Sequence, residues 1–569
     1  MRKRNLCKNF KKKAGKAMSL FLAGMIGMGT LAGCGQETQV ARSDHSRDTN
    51  ATSDSYVAGS TQDSKESLNA TSGAYYYGEA DCDAEYCYDD GYYYDDNYGD
   101  YYDTSEFDTV IESGFCDVLT SPLSTFGADV DTASYSTLRS YVNWGYGPDE
   151  IPTSAIRTEE LLNYFSYDYE GPKGDEPFGV NAEIIDCPWN ENSKLLMLGL
   201  QTEAIDFSEA PDSNIVFLID VSGSMYDENK LPLLVKSFEL LCENLTEKDR
   251  VSIVTYAGSD EIVLEGCPGN EYGRIAEALE GLEAGGCTNG GQGIISAYNL
   301  AEEYFIKGGN NRVILATDGD FNVGVTSNSD LYDLIDEEKK TGVFLSVLGF
   351  GMWNYSDSNM ETLADHGNGN YAYIDSLSEA KKVLVEEMGA TLVTVAKDVK
   401  LQVEFNPAFV SEYRLIGYEN RMMAAEDFDD DTKDGGEIGA GHSVTVMYEL
   451  VMAGEGDDTD GDLKYQTSQL TDAALNSNEW LTLSIRYKDP DEDTSKLLEY
   501  PIGTDSYTEK PSDDIIFAAD VVEFSMLLRQ SEYAGSSSYK YILSTLEDID
   551  SDDEYKQEFY DMVYTLSEY

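Results

Sequence analysis

Residues 214–224 read NIVFLIDVSGS, and this stretch decides the fold. Its first part, Asn214–Asp220, is a continuous apolar run closed by an aspartate. Such a run predicts a strand buried on both faces, as in a parallel sheet. Apolar residues at helical spacing follow from Leu231 to Leu245, with Pro232 in the first turn, where proline is tolerated. A buried strand followed by an amphipathic helix is the repeating unit of a parallel α/β sheet.

The alternation of strand and helix continues to about residue 392. Further strands are predicted at Val251–Ala257, Glu261–Leu264, Val313–Thr317, Val343–Phe350 and Tyr371–Ile374. Further helices are predicted at Arg274–Leu282, Gly293–Phe305, Asp330–Lys340, Met360–Asp365 and Ser378–Met388. Repeated units of this kind predict an α/β fold with a doubly wound, mostly parallel sheet. Ligands of such sheets bind beyond the carboxyl ends of the strands.

Polar residues stand at these strand ends. The D-x-S-x-S string Asp220–Ser224 directly follows the first strand, Thr288 lies in the glycine-rich loop 285–290, and Asp318 follows a later strand. The set resembles the metal-ion-dependent adhesion site (MIDAS) of von Willebrand factor A (VWA) domains, in which D-x-S-x-S, a distant threonine and a later aspartate surround one divalent cation. The resemblance implies a Rossmann-like VWA fold and a metal site. Its ligands would be Asp220, Ser222, Ser224, Thr288 and Asp318.

The chemistry of these residues suits Mg²⁺ or Mn²⁺. Mg²⁺ prefers oxygen ligands and retains some water. Three hydroxyls supply neutral oxygens, and two aspartates at most balance the dication, so an anionic oxygen from a partner can take an open position. In the resembled family this ligand is commonly a glutamate or aspartate of another protein. Helix capping by the serines and a turn role for Asp318 would explain each residue alone, but not five residues on converging loops. Cys287 is interpreted as a packed thiol, because a soft thiolate suits Mg²⁺ poorly.

The N-terminal residues predict an export and anchoring signal. Residues 1–33 contain eight basic and no acidic side chains, and Ala17–Leu31 is an apolar stretch too short to span a bilayer comfortably. The string Leu31-Ala32-Gly33-Cys34 resembles a bacterial lipobox, which implies lipidation of Cys34. An ordinary signal peptide followed by a chance cysteine is the alternative. The predicted location is the extracytoplasmic face of a bacterial membrane, with the membrane contacted only through the lipid.

The remaining sequence divides by composition. Residues 35–74 are polar with few apolar side chains, and Tyr75–Asp108 is rich in tyrosine and acids with no lysine or arginine. Both predict a disordered, self-repelling tether, although the second part could instead be a ligand-binding patch. The predicted ranges are 1–33 signal peptide, 34–114 tether, 115–212 α+β flank, 213–392 VWA domain and 393–569 β-rich domain with terminal helices. The two flanks are expected to combine into one discontinuous domain.

Residues 120–569 also resemble bacterial VWA-domain lipoproteins that carry a flank before and after the VWA fold. The segments Asn311–Gly324, Gly349–Met352 and Arg414–Asn420 carry this resemblance. With a net charge of −68, the chain is expected to bind no nucleic acid, because phosphates would be repelled. The leading hypothesis is therefore a lipid-anchored protein that binds an acidic side chain of a protein partner through Mg²⁺. The alternative is an envelope scaffold in which the metal only stabilises the fold.

An enzymatic role is not expected. His366 and His442 could act as bases in an envelope hydrolase, but neither accompanies a nucleophile motif, so both are interpreted as packed or surface histidines. Asp131-Thr132 is predicted to be the N-cap of a helix at Ala133–Val142, and Asp129 and Asp131 are interpreted as turn and capping residues rather than as metal ligands. The acidic loops Asp457–Asp462 and Asp489–Asp493 lack the full EF-hand pattern and are interpreted as solvated turns. A Cys82–Cys87 disulfide is left open.

Overall fold

The computed structural model describes residues 105–569 except 175, 206–209, 287–290, 320–327, 353–355, 388–392, 434, 455–469, 491, 493 and 550. The strands are β1 Cys116–Asp117, β2 Leu123–Gly127, β3 Phe178–Asp186, β4 Lys194–Thr202, β5 Ser213–Asp220, β6 Arg250–Tyr256, β7 Asp260–Pro268, β8 Asn310–Thr317, β9 Phe344–Phe350, β10 Tyr371–Ile374, β11 Thr394–Phe405, β12 Val410–Ile416, β13 Gly436–Gly439, β14 Ser443–Met452, β15 Glu479–Lys488 and β16 Lys496–Gly503. The α-helices are α1 Ala133–Trp144, α2 Thr158–Asn163, α3 Leu231–Cys242, α4 Tyr272–Glu280, α5 Gly291–Glu303, α6 Asn328–Glu338, α7 Asp357–His366, α8 Leu377–Lys381, α9 Asp472–Asn476, α10 Asp513–Leu528, α11 Tyr539–Asp548 and α12 Glu554–Ser567.

The central sheet has the strand order β10-β9-β8-β5-β6-β7. All neighbouring pairs are parallel except β6 and β7, so the predicted doubly wound, mostly parallel fold is confirmed. Every residue of β5 is buried. Ile215, Phe217 and Ile219 pack into the core on one face, whereas Val216 and Leu218 join the core on the other. The continuous apolar run is therefore explained by helices on both faces of the sheet.

The helices divide between these two faces. Side chains of α3, α4 and α8 pack on the face of Ile215 and Phe217. Side chains of α5, α6 and α7 pack on the opposite face. The predicted closing helix 378–388 is present as α8 and a π-helical turn that continues it over Lys382–Glu386. Strand β7 is longer than predicted and runs antiparallel at the edge of the sheet.

Strands from before and after the central sheet form two antiparallel sheets. One has the order β1-β12-β14-β4-β3, and the other has the order β13-β11-β15-β16 with β2 also paired to β11. Strand β4 pairs with β14, and β2 pairs with β11, so the flanks share both sheets as expected. Inward-facing residues such as Leu198, Val446, Leu401 and Leu483 form the core between the two sheets. The two sheets thus make a sandwich from discontinuous parts of the chain.

A helical layer connects the sandwich to the central sheet. Helix α1 contacts β10 at the edge of the central sheet, and α2 contacts β14 of the sandwich. Helix α10 is buried along nearly its whole length and contacts α2 and α11. Helices α11 and α12 agree with the expected helical C-terminus, whereas the six-residue α2 was not predicted. In the part of the chain that the structure describes, no helix combines the length and apolarity that crossing a membrane requires.

The residues before α1 correct one expectation. Asp129 has the predicted turn role, because its Oδ1 accepts a hydrogen bond of 3.0 Å from the Asp131 amide. Asp131 does not cap the helix: Thr132 is the N-cap residue and makes no side-chain capping bond. The Asp131 carboxylate instead accepts a hydrogen bond of 2.9 Å from the amide of Tyr371 on β10. A long-range partner has therefore replaced the local one that the sequence pattern favoured.

Candidate metal site at the strand ends

Strands β5 and β8 lie side by side and parallel in the centre of the sheet. Asp220 is the last residue of β5, and Asp318 comes directly after β8. Because parallel neighbours end at the same edge of a sheet, both carboxylates are brought to one place. The side chains of both are buried. The tertiary structure thus assembles the two aspartates as the sequence predicted.

The serines lie in a turn that begins at Asp220. The amide of Ser222 donates a hydrogen bond of 2.8 Å to Asp220 Oδ1, and the hydroxyls of Ser222 and Ser224 are 2.9 Å apart. Thr317 Oγ1 donates to Asp220 Oδ2 over 3.2 Å and so holds the other carboxylate oxygen. Asp220, Ser222, Ser224 and Asp318 are called the strand-end site below. Four of the five predicted ligands therefore stand on neighbouring loops.

The fifth predicted ligand, Thr288, lies outside the described residues, as does Cys287. The loop that leads to it is described and is fixed to the serine turn. Gly285 N donates to Val221 O over 2.7 Å, and Gly223 N donates to Gly286 O over 3.2 Å. Gly286 has a φ of 86°, a left-handed conformation that glycine adopts without strain. The described part of this loop therefore lies against the serine turn, and it ends at Gly286, two residues before Thr288.

Burial and like charge set the electrostatics of the site. Burial raises the pKa of Asp220 to about 6, with a further contribution from the neighbouring Asp318 carboxylate, while the Ser222 hydrogen bonds act in the opposite direction. Burial also raises the pKa of Tyr256, whose side chain is fully buried near Asp220 and Asp318. Two carboxylates held close together in a buried place disfavour their shared negative charge. A cation that neutralises both would relieve this repulsion.

A lysine not foreseen from the sequence also reaches the site. Lys230 Nζ donates a hydrogen bond of 2.8 Å to Asp318 Oδ2, and both side chains are buried, at 7% and 0% exposure. Its position before the amphipathic helix α3 predicts a solvated N-terminal residue. The only signal in the sequence is that a lysine follows the acidic and polar residues 227–229.

The rim of the strand-end site is open to solvent. Ser224 is exposed, and the side chain of Tyr226, two residues further on, is 80% exposed. Asp227, Glu228 and Glu283 are also exposed around it. The buried aspartates thus lie beneath an accessible surface with an aromatic side chain and several acids.

A second group of carboxylates lies between the central sheet and the sandwich. Carboxylate oxygens of Asp129, Glu160 and Glu361 lie within 4.8 Å of one another. The seam cluster, as we name it, comprises these three acids with Asp131, Asp357, Arg157 and Arg421. Arg421 bonds to Asp129 over 3.0 Å, Asp131 over 3.3 Å and Glu361 over 3.2 Å. Arg157 bonds to Glu160 and Asp357.

The seam cluster joins three parts of the fold. Asp129 and Asp131 precede α1, Glu160 lies in α2, and Glu361 lies in α7 beside the central sheet. Burial raises the pKa of Glu361 to about 8, while Arg157 and Arg421 act to lower it. Because two guanidinium groups already bond to its carboxylates, we assign this cluster a structural role in holding the sandwich against the central sheet.

The histidines named as possible bases have packing contacts. The ring of His366 stacks on Tyr332 with centroids 4.7 Å apart, and its Nδ1 lies 3.1 Å from Asp336 Oδ1. His442 is buried, and burial lowers its pKa. These contacts agree with the interpretation of both as packed histidines. The predicted lipidation residue Cys34, the Cys82–Cys87 pair, the Asp457–Asp462 loop and Asp491 and Asp493 lie outside the described residues.

Profiles of three protein families match successive parts of the chain. They are "von Willebrand factor" at residues 101–197, "von Willebrand factor type A domain" at 214–387 and "Uncharacterized protein YfbK, C-terminal" at 390–568. Uncharacterized protein YfbK of Escherichia coli (strain K12) is 42% identical over 451 residues, which are 78% of this chain and 77% of YfbK. The chain belongs to the YfbK family. The VWA fold predicted from the D-x-S-x-S string is thereby confirmed, with a YfbK-type C-terminal region after it.

Two further similarities concern smaller or more distant relatives. Uncharacterized protein sll0103 of Synechocystis sp. is 30% identical over 207 residues, 35% of this chain and 47% of that protein. A solved von Willebrand factor type A structure from Catenulispora acidiphila shares 14% identity and a TM-score of 0.39, covering 70% of this chain and 91% of its own.

Proposed function

We propose that this YfbK-family protein is a lipid-anchored, extracytoplasmic adhesion or scaffolding protein that docks protein partners through a Mg²⁺-bridged carboxylate. One observation carries the proposal: two buried aspartates and two serine hydroxyls meet at the ends of adjacent parallel strands beneath an exposed rim. Many VWA domains bind proteins through a MIDAS, and the strand-end site contains four of the five residues that would form one. The resemblance supports the carry-over to Asp220, Ser222, Ser224, Thr288 and Asp318.

The donor set fits a hard divalent cation. Carboxylate and hydroxyl oxygens are the ligands that Mg²⁺ and Mn²⁺ prefer, and soft ligands are not required. When bound, the cation would supply a Lewis-acidic position for an external oxygen. Asp220 would contribute charge, Ser222 and Ser224 neutral oxygens, and Thr317 would keep the Asp220 carboxylate in orientation through its 3.2 Å hydrogen bond.

The partner is proposed to present an aspartate or glutamate. A partner of uniformly negative charge would be repelled by the chain, whose net charge is −68. Since the exposed acids Asp227 and Glu228 follow the serine turn in the chain, we expect the docking acid to be flanked by neutral or basic side chains. We propose binding without catalysis, because the described residues of the strand-end site include no histidine, the usual base beside a nucleophilic hydroxyl in hydrolases.

The proposed location depends on Cys34. Lipidation at the Leu31-Ala32-Gly33-Cys34 string would attach the protein to the outer face of a bacterial membrane. The test is mass spectrometry of the mature N-terminal peptide from wild type and Cys34→Ser. A diacylglyceryl mass on Cys34 that is absent in the variant supports the proposal, and an unmodified mature N-terminus contradicts it.

The metal is tested with Mn²⁺ titrated into the full chain in detergent by calorimetry. We expect one binding event in wild type and none in Asp220→Ala, because a buried charged ligand is lost. Asp227→Ala is the matched control, since Asp227 is an exposed acid of the same loop. Absence of Mn²⁺ and Mg²⁺ binding by wild type would refute the metal site.

Partner docking is tested by affinity capture from envelope extracts with Mg²⁺ or EDTA. The docking proposal expects captured proteins to be released by EDTA and lost in Asp220→Ala. The scaffold alternative expects EDTA to lower the melting temperature while capture is unchanged. The two outcomes therefore separate docking from a purely stabilising metal.

A further inference from the structure

Lys230 is the feature of the strand-end site that the VWA resemblance does not explain. It lies at the N-cap position of α3, and its Nζ bonds to Asp318 Oδ2 over 2.8 Å. The side chains of Lys230 and Asp318 are 7% and 0% exposed. A buried ammonium group is costly unless it is paired, so this lysine has a fixed position rather than a solvated one.

Two contacts guide the lysine to this position. Its backbone amide donates to Asp227 O over 3.0 Å, which closes the turn before α3. Its side chain runs along Gly351, the residue after β9, where a Cβ atom would stand 2.3 Å from Lys230 Cε. Gly351 has a φ of 83° and its carbonyl accepts a hydrogen bond of 2.5 Å from Tyr373 Oη. Gly351 therefore leaves the space through which Lys230 reaches the site.

We propose that Lys230 is a fixed positive charge of the metal site, which weakens cation binding and strengthens binding of the partner's carboxylate. This inference rests on the proposed function. Asp220 and Asp318 alone would balance a dication, but the ammonium group already neutralises part of the charge on Asp318. A cation bound there keeps net positive charge, which attracts an external anion at short range in a buried setting. The repulsion between ammonium and cation has the opposite effect on the cation itself.

The same arrangement explains how a strongly acidic protein could bind an acid. The long-range field of the chain opposes an acidic ligand, and only a local positive charge can reverse it. Lys230 supplies part of that charge through its ion pair with Asp318. Lys230 is therefore a positioning residue: it places a positive charge beside Asp318 and is not a ligand of the cation.

The test uses Lys230→Met in the full chain, because methionine keeps an apolar side chain of similar length against Gly351. We expect Lys230→Met to bind Mn²⁺ more tightly, on the order of 10-fold, in calorimetry. Acetate, as the carboxylate probe, should bind the Mn²⁺-loaded variant more weakly, measured by the loss of water-proton relaxation as acetate displaces metal-bound water. Lys236→Met, an exposed lysine on the same helix, is the matched control and should change neither value.

A second variant covers the case in which Lys230→Met fails to fold. Gly351→Ala should push the Lys230 side chain away from Asp318 and shift both affinities in the same directions by a smaller factor. Unchanged or weaker Mn²⁺ binding in the folded variants, with wild type binding Mn²⁺, would overturn this inference and leave the proposed function intact. Failure of wild type to bind any divalent cation would instead refute the proposed function itself.

Discussion

The strand-end site and the seam cluster both gather carboxylates from distant parts of the chain, but they are completed differently. In the seam cluster, each carboxylate bonds to the guanidinium of Arg157 or Arg421. At the strand-end site, the aspartates are accompanied by serine and threonine hydroxyls, and the ion pair there is Lys230 with Asp318. In the seam cluster every carboxylate is paired with a guanidinium, whereas at the strand-end site only Asp318 is paired with a cation and Asp220 is bonded to neutral groups.

The difference teaches how to separate structural from functional acid clusters. A guanidinium group can bind a carboxylate through two hydrogen bonds at once. Such pairs fix the carboxylates and hold structural elements together, as a boundary between two parts of a fold requires. Hydroxyl oxygens beside carboxylates supply no charge and suit a hard cation from solution. Proximity of acids alone did not distinguish the two places, because the seam acids are close enough to be mistaken for a metal site.

The largest expected effect is on stability and lies in the seam cluster. Arg421→Ala leaves Asp129, Asp131 and Glu361 without their shared guanidinium, and removal of one partner of a buried ion pair costs about 3–5 kcal/mol. Urea unfolding should show this loss, while Mn²⁺ affinity stays unchanged. Arg274→Ala, at an exposed ion pair, is the control and should leave the urea unfolding transition nearly unchanged. A large loss of Mn²⁺ affinity in Arg421→Ala would show that the two clusters are not separate.

The next effect is on metal affinity at the strand-end site. Ser222→Ala removes a hydroxyl that lies 2.9 Å from that of Ser224, and we expect Mn²⁺ affinity to fall by about 10-fold or more, with little change in stability. Ser134→Ala is the matched change at the seam, where the Ser134 hydroxyl accepts a hydrogen bond of 3.2 Å from the Arg157 amide. It should lower stability by about 1 kcal/mol without altering calorimetric Mn²⁺ affinity. Equal Mn²⁺ affinities for both variants and wild type would remove Ser222 from the proposed site.

The last effect is a dependence of stability on pH, at a buried acid outside both clusters. Asp520 in α10 accepts a hydrogen bond of 2.6 Å from Thr545, and burial raises its pKa to about 8, with Glu523 adding to the shift. The unfolded chain releases this proton near pH 4 and the folded chain only near pH 8, so ionisation lowers stability as pH rises between these values, by up to about 1.4 kcal/mol per pH unit.

Asp520→Asn removes that ionisation. Its melting temperature should therefore exceed that of wild type by a margin that grows from pH 5 to pH 8. Asp513→Asn, at the exposed start of the same helix, is the control and should show no growing margin. A margin that is constant with pH would mean that Asp520 is ionised in the folded protein throughout this range.

Local patterns were sufficient for the central sheet. The apolar run at β5 and the spacing along α3 depend on neighbours within about ten positions, and the D-x-S-x-S string lies within one turn. The six-residue α2 was missed because it is too short to show a helical period. The role of Asp131 was predicted wrongly because its partners, Tyr371 and Arg421, are 240 and 290 positions away.

The sequence by itself therefore determined the α/β class, the parallel centre and the aspartates and serines at its strand ends, because periodicity and motif spacing are local properties. Only the tertiary structure decided which strands of the two flanks pair, that Arg421 joins Asp129 across 292 positions, and that Lys230 meets Asp318 across 88. Those contacts depend on which strands become neighbours and on the space left by residues such as Gly351. The local order of side chains along the chain determines neither.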